Sequence, residues 1–135
     1  MIDYIKLQNN SLFKNMDIKE IKKYTSLFEV ATYPKSSIIF LEKDKIDHFY
    51  IVLEGKVSIS KYDLIGDKKI IVFISEYEIF GETIALSNFK SPYTVECVEK
   101  STLMVIDVSI FKKLTIQSAN LFNNVIDVLS TKNAF

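Results

Sequence analysis

Apolar residues change their spacing twice along this chain. Ile18, Ile21, Tyr24 and Thr25 share one face at helical spacing, and Asp17 stands three residues before Glu20, which predicts a short amphipathic helix over Asp17–Leu27. From Val30 to Asp107 the pattern becomes short runs rich in Val, Ile, Tyr and Phe. Turn signals separate them at Tyr33-Pro34-Lys35-Ser36, Glu42-Lys43-Asp44, Leu64-Ile65-Gly66-Asp67, Asn88 to Pro92 and Glu99-Lys100-Ser101. Such runs predict a β sandwich or barrel. Val57, Ile59 and Lys61 alternate with Ser58 and Ser60, and Tyr93, Val95 and Cys97 with Thr94 and Glu96, the pattern of strands with one buried and one wet face. The unbroken runs Phe49–Leu53 and Ile70–Ile74 predict deeper burial. After Asp107 helical spacing returns, first over Val108–Thr115 with Ile110, Phe111 and Leu114. It continues beyond a cap at Ser118 or Asn120 with Leu121, Phe122, Val125, Ile126 and Leu129. No glycine or proline stops this last helix, which is expected to run out through Thr131-Lys132-Asn133-Ala134-Phe135.

Composition narrows the function classes. The chain has 135 residues, 48% of them hydrophobic, enough for one core and too few for two ordinary domains. Its 17 basic and 17 acidic residues leave no net field to draw it onto nucleic acid or an anionic membrane. No apolar run reaches the ~20 residues that span a bilayer, and MIDYIKLQNN has neither the basic start nor the apolar block of a signal peptide, so a cytoplasmic location is expected. Cys97 is alone and cannot form an internal disulfide. With the single His48 it offers too few ligands for a structural zinc or an iron–sulfur cluster, and no cofactor or metal is expected. One histidine also falls short of the cluster a metal-dependent barrel enzyme needs, and there is no Ser-Gly elbow, P-loop or dinucleotide fingerprint. Binding rather than catalysis is predicted.

The segment Ile79–Val95 carries the candidate chemistry. A Gly81-Glu82 pair after an apolar run, a helical turn over Thr83–Leu86, a loop and a new alternating run would aim several backbone amides at one point, an arrangement that attracts anions. The candidate pocket is therefore Gly81, Glu82, Thr83, Ile84, Tyr93 and Thr94. Two roles are open to Glu82: contact with a ligand, or acceptance of hydrogen bonds from turn amides. Gly55 and Gly81 read as conformational glycines. Thr94 either offers its hydroxyl to the barrel or satisfies its own strand. His48 begins a strand after a polar turn, and Cys97 reads as a small buried hydrophobe. An arginine would complete a phosphate site through paired charge-assisted hydrogen bonds, and this chain contains none.

The order of these parts resembles the effector domain of the CRP/FNR transcription regulators, a cyclic-nucleotide-binding-type double-stranded β helix. The resemblance covers about Leu12 to Phe135. It is carried by Tyr33-Pro34-Lys35, Ile38-Ile39-Phe40, the block Asp47 to Val57, Phe80-Gly81-Glu82 and Tyr93-Thr94-Val95-Glu96. It implies a mainly β jelly-roll barrel with a short N-terminal helix, a sensor unit over residues 1–117, and the start of a dimerisation helix over residues 118–135 that pairs through Phe122, Val125, Ile126 and Leu129. It also implies that Gly81 and Glu82 meet the ribose hydroxyl of a cyclic nucleotide, and that an Arg-Ser/Thr-Ala triplet holds the phosphate. Here the triplet reads Pro92-Tyr93-Thr94, and proline removes a backbone donor besides. The expectation is a sensor for a small-molecule effector other than cyclic AMP, a homodimer without membrane association, meeting DNA only through a helix-turn-helix that this chain lacks. On that expectation the chain is an excised sensor domain or a naturally short relative. The alternative is a cyclic-nucleotide-type regulatory or interaction module of another protein class.

Overall fold

Short polar side chains start nearly every helix. In the computed structural model, which describes residues 1–131, Asp3 opens α1 (Tyr4–Gln8) by accepting from the amides of Ile5 and Lys6. Asn10 caps the 3-10 turn Ser11–Phe13, and Asp17 caps α2 (Ile18–Thr25) through the Glu20 amide at 2.8 Å. Eight strands follow: β1 (Glu29–Tyr33), β2 (Ile38–Phe40), β3 (His48–Glu54), β4 (Val57–Tyr62), β5 (Lys68–Ile74), β6 (Ile79–Phe80), β7 (Thr94–Cys97) and β8 (Ser101–Asp107). Helix α3 (Glu82–Ser87) interrupts them between β6 and β7, and α4 (Val108–Gln117) and α5 (Ala119–Thr131) close the described chain. Ser118 caps α5, its hydroxyl accepting from the Leu121 amide at 3.1 Å. Residues 132–135, into which the last helix was expected to run, lie outside the described residues.

The strands form two antiparallel four-stranded sheets, ordered β1-β8-β3-β6 and β2-β7-β4-β5, the mainly β jelly-roll architecture expected from the sequence. Two hydrophobic clusters lie on opposite sides of the first sheet. Inside the barrel, Tyr50, Val52, Leu103 and Val105 meet Phe40, Val57, Ile59, Phe80, Tyr93 and Val95. Outside it, Phe49, Ile51, Met104 and Ile106 meet Leu7, Ile21, Phe111, Leu121 and Val125 of the helices. This double burial explains the unbroken run Phe49–Leu53, because β3 has no wet face.

Two expectations of burial are corrected. The run Ile70–Ile74 is not deeply buried: β5 is an edge strand paired only with β4, and of these residues only Ile74 is buried, while Ile70, Ile71 and Phe73 are close to half exposed. The supposedly wet face of β4 and β7 is covered. Ser58, Ser60 and Thr94 are buried, and the turn after β2 is bonded to this part of the sheet. The Glu42 amide donates to the Thr94 hydroxyl at 3.1 Å, and the Glu42 carboxylate accepts from the Tyr62 amide at 3.1 Å.

Gly55, between β3 and β4, has φ +98°, and a Cβ there would meet the Ser101 hydroxyl and stand 2.6 Å from the Lys100 carbonyl. Backbone strain and a clash against main chain act together at this position. Gly55→Ala is expected to destabilise the domain by about 1–3 kcal/mol, read as a lower urea midpoint with an unchanged slope. A variant as stable as the parent would refute this.

Candidate functional site

Tyr50 and Phe80 face each other across β3 and β6 and stack at 4.9 Å, so the strand enters the barrel just before the chain turns. Gly81 makes that turn at φ +83°, which glycine adopts without steric cost, and no side chain caps the helix it starts. Glu82 follows as the first residue of α3 and is only 1% exposed. Asn88, also left-handed at φ +58°, ends the helix. At six residues α3 is too short to act as a strong dipole.

The loop that returns the chain to β7 is pinned to the turn after β2. The Lys43 amide donates to the Ser91 carbonyl at 2.7 Å, and the Ser91 amide donates to the Asp44 carbonyl at 2.8 Å. The Ser91 hydroxyl donates to the Tyr93 carbonyl and accepts from the Tyr93 amide. This clamp sends Pro92 outward into solvent and Tyr93 inward, where it is 1% exposed. Burial first, and then the negative charge of Glu82, push the Tyr93 phenol well above its ordinary pKa.

Of the six pocket residues read from the sequence, Ile84 and Tyr93 lie in the barrel cluster, Gly81 stands beside Phe40 and Phe49, and Glu82 is buried next to it. Thr94 is buried on the opposite face, where its hydroxyl accepts from the Glu42 amide of the turn after β2. Thr83 is half-buried, and its hydroxyl oxygen is shielded from solvent without a hydrogen-bond partner. Lys90, the nearest cation by sequence, is exposed. Three lining residues escape a sequence reading: Phe40, Tyr50 and Phe80. Phe40 approaches Tyr93 at 6.1 Å and both other rings at 6.4 Å. Only the pairing of distant strands makes these rings neighbours.

His48 lies at the surface, its Nδ1 2.7 Å from Asp47 and its Nε2 3.6 Å from Asp107. The Ser109 hydroxyl and the Ile110 amide hold the Asp107 carboxyl below its usual range, as befits the cap of α4. Among the described residues no three His, Cys, Asp or Glu side chains form a group able to hold a metal ion. Cys97 is buried in the barrel, which raises its thiol pKa. The four helix positions separate. Val125 and Leu129 pack towards the core, whereas Phe122 and Ile126 are 50% and 45% exposed. A second set of exposed apolar side chains, Tyr62, Leu64, Ile65, Ile70, Ile71 and Phe73, occupies the β4–β5 hairpin and was not singled out from the sequence.

The family model of the cyclic nucleotide-binding domain matches residues 30–118, from β1 through α4. The chain belongs to that family. It is 25% identical over 100 residues to the cyclic AMP receptor protein of Thermus thermophilus, which covers 74% of this chain and 46% of that protein. It is 22% identical over 110 residues to a cGMP-dependent protein kinase of Drosophila melanogaster, covering 82% of this chain and 10% of the kinase. Among solved structures, the N-terminal domain of a transcriptional regulator from Streptomyces coelicolor A3(2) has the same fold, with a TM-score of 0.81 at 18% identity over 93% of this chain and 87% of that one. The domain thus spans less than half of either curated relative. Among its described residues no helix is long and apolar enough to cross a membrane.

Proposed function

We propose that this domain is the effector-sensing and self-associating part of a CRP/FNR-type transcription regulator of the bacterial cytoplasm, and that its cassette does not take cyclic AMP. One observation carries the reading: where the resemblance calls for a phosphate-gripping arginine, Pro92 points to solvent and Tyr93 fills the barrel. An effector entering against Gly81, Glu82, Ile84 and Tyr93 would shift α3 and the pinned loop. That shift would reach β3 and the helices packed on its other face. Phe122 and Ile126 would pair with a second copy, since apolar side chains spaced four apart on one helix face form a natural seam. The decisive test is calorimetric titration with cyclic AMP and cyclic GMP, because tight uptake would make the domain an ordinary cyclic-nucleotide receptor.

DNA contact belongs to another part of such a regulator. With 17 basic and 17 acidic residues, this chain alone is expected to show no salt-sensitive binding to duplex DNA below about 100 µM, the tight end of ordinary non-specific binding being on the order of 1 µM. Fluorescence anisotropy with a labelled duplex at low salt reads this directly. Salt-dependent binding with a Kd below about 100 µM would overturn it.

A further inference from the structure

The β4–β5 hairpin leaves the barrel with its apolar side chains uncovered. β7 stays beside β4 only as far as Ser60, so Lys61 to Lys69 projects as a two-stranded ribbon. Leu64 and Ile65 at its tip are bare, and Tyr62, Ile70, Ile71 and Phe73 are each close to half exposed. Monomeric domains seldom gather so much apolar surface in one place without a partner for it. β5 is also the last strand of its sheet, paired along β4 alone, so its outer row of amides and carbonyls is open. Lysines and a bulge commonly guard such an edge, and both occur here, Ile71 being the extra residue between the pairs Ile59–Val72 and Ser60–Ile70. Two of the lysines do more than guard it. Lys61 and Lys69 stand directly opposite each other, and like charges so placed weaken a ribbon. Among the described residues neither forms an ion pair, whereas Lys68 is answered by Glu96 at 3.0 Å and the Asp63 carboxylate is taken up by two amides of the turn. Beside the end of β5 lies a cleft of about 390 Å³, lined by Val72 to Ile74 and, from the N-terminal segment, by Asn9 and Ser11.

We propose that this edge is a docking site for an extended, acidic and apolar segment of another protein, which adds to β5 as a further strand. The segment's main chain takes up the open row of β5, its apolar side chains cover those of the ribbon, and its carboxylates answer Lys61 and Lys69. Asn9 and Ser11 are exposed and offer polar side chains to the incoming strand where it passes the cleft. The unanswered lysine pair decides the chemistry of the partner. A second copy does not meet it through the same strand, because β5 carries two lysines and no acid.

The test uses the full chain and two fluorescent peptides of about ten residues, the upper length of an ordinary strand, one alternating valine with glutamate and the other valine with lysine. Anisotropy at low salt shows the glutamate peptide binding about ten-fold more tightly than the lysine peptide, and the margin shrinks as salt is raised. Lys61→Glu/Lys69→Glu reverses the preference, which a merely structural role of these lysines does not produce. Both side chains are exposed, and an unchanged urea midpoint verifies that the variant keeps the fold. Methylating the backbone nitrogens of the glutamate peptide abolishes its binding, because an added strand is held by its main chain. Absence of saturable binding by the glutamate peptide overturns the proposal, as do equal affinities for the two peptides or an unreversed preference in the double variant. Retained binding of the methylated peptide overturns strand addition. Vesicles of anionic lipid are titrated in parallel, and binding to them without binding to the peptide makes the hairpin a lipid-contacting surface and overturns the proposal. Loss of self-association in Phe73→Lys, with Phe122 and Ile126 intact, makes a second copy the occupant and overturns it as well.

Discussion

Titration of this domain with cyclic AMP or cyclic GMP is expected to give no saturable 1:1 isotherm in the low-micromolar range. Two effects act in the same direction. The first is electrostatic: the chain contains no arginine, and burying a phosphate without its partner charge typically costs ~2 to 5 kcal/mol. At 1.4 kcal/mol per decade that loss is roughly thirty-fold to several-thousand-fold in affinity. Lys90 is exposed on a loop whose next residue is fastened to Lys43 and Asp44, and its single ammonium does not reproduce a bidentate grip. The amides at the start of α3 are too few, on a helix of six residues, to make up the difference. The second effect is steric. Tyr93 is 1% exposed inside the barrel, so a nucleotide would have to expel a ring packed against Phe40 before gaining any contact of its own. A low-micromolar isotherm, lost in Glu82→Ala while the fold persists, would show that the domain holds the phosphate by another route.

Local signals in the sequence were sufficient wherever one residue type is required by one conformation. Asp17 with Glu20 located α2, and Asp107 stands at the cap that starts α4. The turn residues divided the barrel into its strands because positive φ values fall inside several of those segments, at Ser36, Lys43, Gly66 and Asn88. Gly81-Glu82 was legible for the same reason. Other features depended on what lies across from a residue. Ile70–Ile74 has the composition of a central strand, but its place at the edge of a sheet is decided by the β2-β7-β4-β5 order, which no window of sequence contains. Ser58 and Ser60 alternate as a wet face does, yet both are buried, and on the same face Glu42, from the turn after β2, bonds to Thr94 and also to the Tyr62 amide, contacts that alternation alone does not reveal. Helix α1 spans five residues, too short to display a period, and is set by the Asp3 cap and by burial of Leu7. The aromatic lining of the site was hidden similarly, since Phe40, Tyr50 and Phe80 meet only after two sheets have closed around them.

Substitutions along α5 are expected to separate folding from association. Val125 is 9% exposed and belongs to the cluster with Phe111, Leu114 and Leu121, so a carboxylate there is driven into the core. An uncompensated buried charge typically costs about 3–5 kcal/mol, a large share of the ~5–15 kcal/mol that holds a domain of this size together. Val125→Asp is therefore expected to unfold at a much lower urea concentration than the parent whatever its state of association. Phe122 and Ile126 behave differently because they are 50% and 45% exposed. Phe122→Asp and Ile126→Asp change monomer stability by roughly 0.5 kcal/mol or less, as surface replacements do. They reduce self-association, because burying two carboxylates against a second copy is unfavourable. The neighbouring Lys14–Asp127 pair, at 3.2 Å and well exposed, contributes little either way. Light scattering at high micromolar concentration, paired with urea unfolding of each variant, reads both quantities. A parent that is monomeric under those conditions, or an Ile126→Asp variant that associates as tightly as the parent, removes α5 as the interface; a Val125→Asp variant of parental stability contradicts the packing of that helix.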